Sequence, residues 1–145
     1  MKLKYYLSLL TIFFLVSFIS SQNPQPDKRL LDYFGQEKLD ILMKNSPDII
    51  YYYNFYLDNS WIIEELPQEK LNSKSILGVI SLATNSSGNI DLQNINILKL
   101  NIKREYYSKT YYRIANTNKV LIFLSEEEFM KNYNKHRKSL GLIKE

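Results

Sequence analysis

The chain reads as an α+β domain: N-terminal helices, a mostly antiparallel sheet of three to five strands, and a C-terminal helix packed on one face. Three stretches carry that expectation. Ser125-Glu126-Glu127-Glu128 has the S-x-x-E form of a capping box, and Phe129, Met130, Tyr133 and Leu140 follow on one helical face. Leu98, Leu100 and Ile102 alternate with Lys99, Asn101 and Lys103, the period of a half-buried strand. Residues 111–115 and 120–124 flank Asn116-Thr117-Asn118-Lys119, a hairpin whose asparagines suit positive φ.

Taken in order, residues 27–34 predict one or two helical turns ending at Gly35, whose missing Cβ suits a helix end. A second helix spans residues 36–44, where Leu39, Leu42 and Met43 recur at helical spacing opposite Glu37, Lys38, Asp40 and Lys44. Ser46-Pro47-Asp48 is an entrance to a third: an N-cap serine, a proline at the first helical position and an acid at the positive end of the dipole. The residues behind it, Ile49-Ile-Tyr-Tyr-Tyr-Asn-Phe-Tyr-Leu57, prefer strands, but the entrance and the Ile49, Tyr53, Tyr56 face favour helix.

Asp58-Asn59-Ser60 turns the chain into a short strand over 61–66, stopped by Pro67. Residues 68–75 read as a polar connection, 76–82 as a short strand and 84–89 as a loop. Residues 95–104 are expected as a strand, with a bulge near Ile97 and Leu98 to reconcile the opposite phase of Ile95 and Ile97. Residues 120–124 are apolar on both faces and belong at the centre of a sheet.

Ahead of the domain, Lys2 and Lys4 precede a near-unbroken apolar run over 5–19, then Ser20-Ser21 and the polar Gln22-Asn23-Pro24. That pattern predicts an export signal over 1–21, because the run is short for a membrane span, which needs about 20 residues. Cleavage after Ser21 leaves Ile19 at the −3 position, so a retained N-terminal anchor is the alternative and the only membrane association expected. Residues 22–26, with two prolines, read as a flexible tail, and 27–145 as one domain. The absence of cysteine removes lipid attachment and disulfide scaffolding, so the core alone must hold the fold. The Asn/Ile/Lys/Tyr-rich composition and the Ser-Gln junction resemble exported proteins of Gram-negative bacteria, which implies a secreted or periplasmic location.

Loss of Lys2 and Lys4 lowers the formal charge from +4 to +2, and what remains is bipolar. Residues 22–98 carry 6 basic and 10 acidic side chains, whereas residues 99–145 carry 11 basic and 5 acidic. Histidine chemistry would have to rest on His136 alone, in the basic end of the last helix, with no G-x-S-x-G turn to supply a nucleophile. Glu64 and Glu65 point to opposite faces of a strand, and Glu126, Glu127 and Glu128 are explained by capping. No catalytic role, metal or cofactor is therefore expected.

Aromatic residues are the strongest surface signal. Tyr51, Tyr52 and Phe55 fall off the expected core face of the third helix and are interface candidates. Residues 103–113 interleave basic and aromatic side chains, nominating Lys103, Tyr107, Lys109 and Arg113 as a binding surface. Nucleic acid is not the expected partner, given export, the low net charge and the absence of an RNP or GXXG motif. The expected role is an exported non-catalytic domain that binds a protein or cell-envelope component. The alternatives are a small enzyme or enzyme inhibitor acting on envelope glycans or peptides, and a subunit that self-associates through a strand edge.

Overall fold

In the computed structural model, residues 24–73, 75–85 and 87–143 are described, and the export signal read over 1–21 lies outside them. Asp27 opens helix α1 (Lys28–Phe34) by accepting a hydrogen bond from the Arg29 N–H at 2.8 Å. Gly35 both ends α1 and begins α2 (Gln36–Asn45), with φ 76° and ψ 162°. That region of backbone space is essentially restricted to glycine. Leu39 is the buried residue of α2.

Helix α3 (Pro47–Asn59) starts where the proline predicts, although the Ser46 side chain makes no capping bond. Its fully buried residues are Ile50 and Leu57, with Ile49, Tyr53 and Tyr56 packed half-buried beside them. The expected Ile49, Tyr53 and Tyr56 face does line the core, and burial extends beyond it because α3 is covered on two sides, by the sheet core and by the last helix. Residues 24–26, expected as a free tail, are docked on this helix. Pro24 is buried, the Asn54 amide donates to the Gln25 carbonyl at 2.7 Å, and the Asp27 N–H donates to Asn54 Oδ1 at 3.0 Å.

Arg29 then ties three segments together. Its guanidinium pairs with Asp27 at 2.8 Å and Asp58 at 2.7 Å and donates to the Ile95 carbonyl at 3.3 Å. Hydrogen bonding from Arg29 holds the Asp27 carboxyl below the usual carboxylate range.

Strand β1 (Trp61–Glu65) is followed by α4 (Gln68–Ser73), which replaces the expected irregular connection, and by β2 (Ile76–Ile80). Strands β3 (Thr110–Ile114) and β4 (Lys119–Phe123) form the predicted hairpin, with Asn116 at φ 59°. The sheet order is β1-β4-β3-β2, antiparallel at the first two pairings and parallel between β3 and β2. Strand β4 is central and buried on both faces: Leu121 and Phe123 enter the main core, Val120 and Ile122 the opposite side.

Residues 95–104 form no strand. A 3-10 turn occupies Ile97–Lys99, and Ile95 and Ile97 are both buried under α1. Asn96 causes the departure: its side chain accepts from the Leu98 N–H at 3.3 Å and donates to the Arg29 carbonyl at 2.8 Å. An asparagine bonding its own backbone offers the chain an alternative to a sheet ladder.

Helix α5 (Glu126–Ser139) begins at the predicted cap, where Ser125 Oγ accepts from the Glu128 N–H at 3.1 Å. Its buried Phe129 and Tyr133 pack on Tyr52, Phe55 and Tyr56 of α3, so α5 sits on the helical layer.

Candidate functional site

The chain between Leu100 and β3 carries Lys103, Tyr107 and Lys109 of the residues nominated from the sequence, and contacts with Tyr112, with α5 and with two aromatic rings fix it. At its start the Tyr112 hydroxyl accepts from the Lys103 N–H at 2.7 Å and donates to the Lys103 carbonyl at 3.3 Å. At its middle the Glu126 N–H donates to the Glu105 carbonyl at 3.0 Å and the Glu127 N–H to the Tyr106 carbonyl at 3.1 Å. The first amides of α5, which a helix leaves unpaired, are thus satisfied by the loop. Between these points the Arg104 guanidinium lies 5.1 Å from both the Tyr56 and the Phe129 ring centroids. Burial raises the pKa of the neighbouring Tyr52 hydroxyl, and the Arg104 charge partly offsets the rise.

What the loop leaves outside is aromatic. Tyr107 is 81% exposed and Tyr106 54%, with their rings edge to face at 4.5 Å. Free tyrosines on a pinned backbone suit binding, since little conformational freedom remains to be lost on contact. The flanking cations are neutralised locally: Lys103 pairs with Glu105 at 2.7 Å and Lys109 with Glu128 at 3.3 Å. Glu126 and Glu127 are exposed beside them, so the patch is not cationic.

The structure places Lys103, Tyr107 and Lys109 on this one loop and the other candidates elsewhere. Arg113 shares a register row with Glu64, Val120 and Val79, on the sheet face opposite Tyr112. Adjacent strand residues face opposite ways, so Arg113 and the loop held by Tyr112 lie on opposite sides of the sheet. Tyr52 is spent inside the fold, with Phe129 at 5.6 Å and Tyr133 at 5.3 Å, and Phe55 stacks on His136 at 4.7 Å. Tyr51 is half-buried on α3.

Two residues were missed. Tyr106 adjoins Tyr107 in a segment without strict alternation, a signal from which the pair could have been read as a loop tip rather than a strand. Arg104 gave no local signal, because its two rings come from α3 and α5.

Two open clefts lie elsewhere. One, of about 420 Å³, is lined by Ile63, Glu65, Asn89, Ile90, Leu92 and Lys119. The other, of about 560 Å³, lies between the start of α3 and the far half of α5 and is lined by Asp48, Tyr133 and Arg137 among others. Among the described residues, Glu65 is the carboxylate lining the first and Asp48 the one lining the second.

The fold and the loop define a small α+β domain with a pinned aromatic tip. Comparison of the chain with protein-family models, curated proteins and solved structures finds no match.

Proposed function

We propose that this chain is an exported, non-catalytic binding domain that holds a protein or cell-envelope component through the Tyr106 and Tyr107 tip. The exposure of both rings on a backbone bonded to α5 and Tyr112 is the observation that carries this reading. Tyrosine presents a large rigid face with a polar end, and such side chains dominate contact energies at interfaces. The pairing of Lys103 and Lys109 with carboxylates argues against a polyanion as the partner.

The test compares retention of the full chain and its Tyr106→Ala/Tyr107→Ala variant on an envelope fraction from the producing cell. Because both rings are exposed, the variant should unfold within about 0.5 kcal/mol of the parent. Loss of two anchoring aromatics should weaken retention by about thirtyfold, the equivalent of about 2 kcal/mol. Unchanged retention would remove the tyrosine tip from the binding surface.

A further inference from the structure

The cleft of about 420 Å³ lies at the far end of β4 from the tyrosine tip and joins an apolar wall to two opposite charges. Ile63 and Ile90 are half-buried against the main core, and Leu92 is 54% exposed. The loop carrying Asn89 and Ile90 is tied back on itself: the Asn89 N–H donates to Asn85 Oδ1 at 3.0 Å, and the Asn85 N–H to the Asn89 carbonyl at 2.8 Å. Glu65 and Lys119 are cross-strand partners on β1 and β4 and line the cleft on the sheet face that Ile63 shares. Opposite charges so placed ordinarily attract each other. Here they are parted: the Asn118 amide donates to Glu65 Oε1, and among the described residues no ion pair reaches Lys119.

We propose that this cleft binds the zwitterion of an apolar α-amino acid, its ammonium on Glu65, its carboxylate on Lys119 and its side chain against Ile63, Ile90 and Leu92. Cross-strand partners hold their Cβ atoms about 5 Å apart, which matches the adjacent charged groups of one α-amino acid better than the separated termini of a peptide. The charges also select the class of ligand. A purely anionic or purely cationic molecule would meet one attraction and one repulsion, whereas a zwitterion satisfies both groups. The size fits as well, since small-molecule sites run from about 300 to 1,000 Å³ and combine an apolar lining with a few polar groups. Asn89, also in the lining, adds an amide to those polar groups.

Chemical-shift titration of the full chain with leucine, N-acetylleucine and leucinamide tests this. Leucine, a small ligand held by two surface charges, should bind with a dissociation constant on the order of 1 mM and shift the amides of residues 63–65, 89–92 and 118–119. N-acetylleucine lacks the ammonium and leucinamide lacks the carboxylate, so each should bind about fivefold more weakly. Glu65→Gln should bind leucine and N-acetylleucine alike while still disfavouring leucinamide, and Lys119→Gln should do the reverse. Absence of a saturable shift with leucine, or equal binding of the three ligands by the parent, would overturn the proposal. So would variants that weaken all three ligands together, the result expected if Glu65 and Lys119 only shape the sheet.

Discussion

Phe129→Ala should cost about 3–5 kcal/mol of stability, the largest loss expected from a single change in this chain. Phe129 is fully buried and touches four rings: Tyr52 at 5.6 Å, Phe55 at 5.8 Å, Tyr56 at 5.4 Å and Tyr133 at 6.2 Å. Those neighbours come from α3 and from the next turn of α5, and neither helix can collapse into the gap without abandoning its other contacts. A domain of this size is stable by about 5–15 kcal/mol in total, so the loss would approach unfolding. The consequence reaches the tyrosine tip, because Phe129 supplies one of the two rings that Arg104 contacts and fixes the helix whose amides hold the loop. Urea unfolding of the variant should show a much lower midpoint. A loss below about 1 kcal/mol would mean that α5 is only loosely attached to α3.

Arg104 gives a second large effect with a more informative sign. Its contact with two rings contributes about 2 kcal/mol or more when desolvated. Against that, Nε and Nη2 are buried without a hydrogen-bond partner, at a cost of about 1–3 kcal/mol. The two nearly cancel, so the guanidinium head adds little net stability while the aliphatic stem fills space between α3 and α5. Arg104→Ala, which removes both, should destabilise by about 2 kcal/mol, whereas Arg104→Met keeps the stem and should stay within about 1 kcal/mol of the parent. Unfolding midpoints of the two variants check the ranking. A methionine variant as unstable as the alanine one would show that the cation and ring attraction outweighs the unmade hydrogen bonds.

Features written in neighbouring residues were legible in the sequence, and those made by distant partners were not. The Ser125 cap, the Asn116 hairpin and the Pro47 entrance each rest on a few adjacent side chains, and each appears where expected. The entrance correctly outweighed the strand preference of the tyrosines behind it. Residues 95–104 misled because Leu98, Leu100 and Ile102 alternate like a strand, while the cause of their path is Asn96 bonded to Arg29, far away in the chain. The parallel pairing of β2 had no sequence signature either, since a short apolar run does not reveal its partner or direction.

The same division runs through the site. Lys103, Tyr107 and Lys109 are close in sequence and share one loop. Arg113 lies beyond the start of β3, where side chains alternate between faces, and Tyr52 and Phe55 were claimed by α5, a partner that periodicity on α3 could not reveal. The basic character expected of the patch was lost to Glu105, two residues from Lys103, and to Glu128, which lies far from Lys109 in the linear sequence.

A tyrosine-led contact and a charge-led one respond differently to salt, since exposed charges are screened over about 10 Å at 0.1 M ionic strength. Retention of the full chain on the envelope fraction, followed as salt is raised, therefore measures the central claim most directly. The account predicts nearly constant retention, weakened about thirtyfold by Tyr106→Ala/Tyr107→Ala and little changed by Lys103→Ala/Lys109→Ala. A steep fall with salt that disappears in the lysine variant, with retention intact in the tyrosine variant, would contradict it.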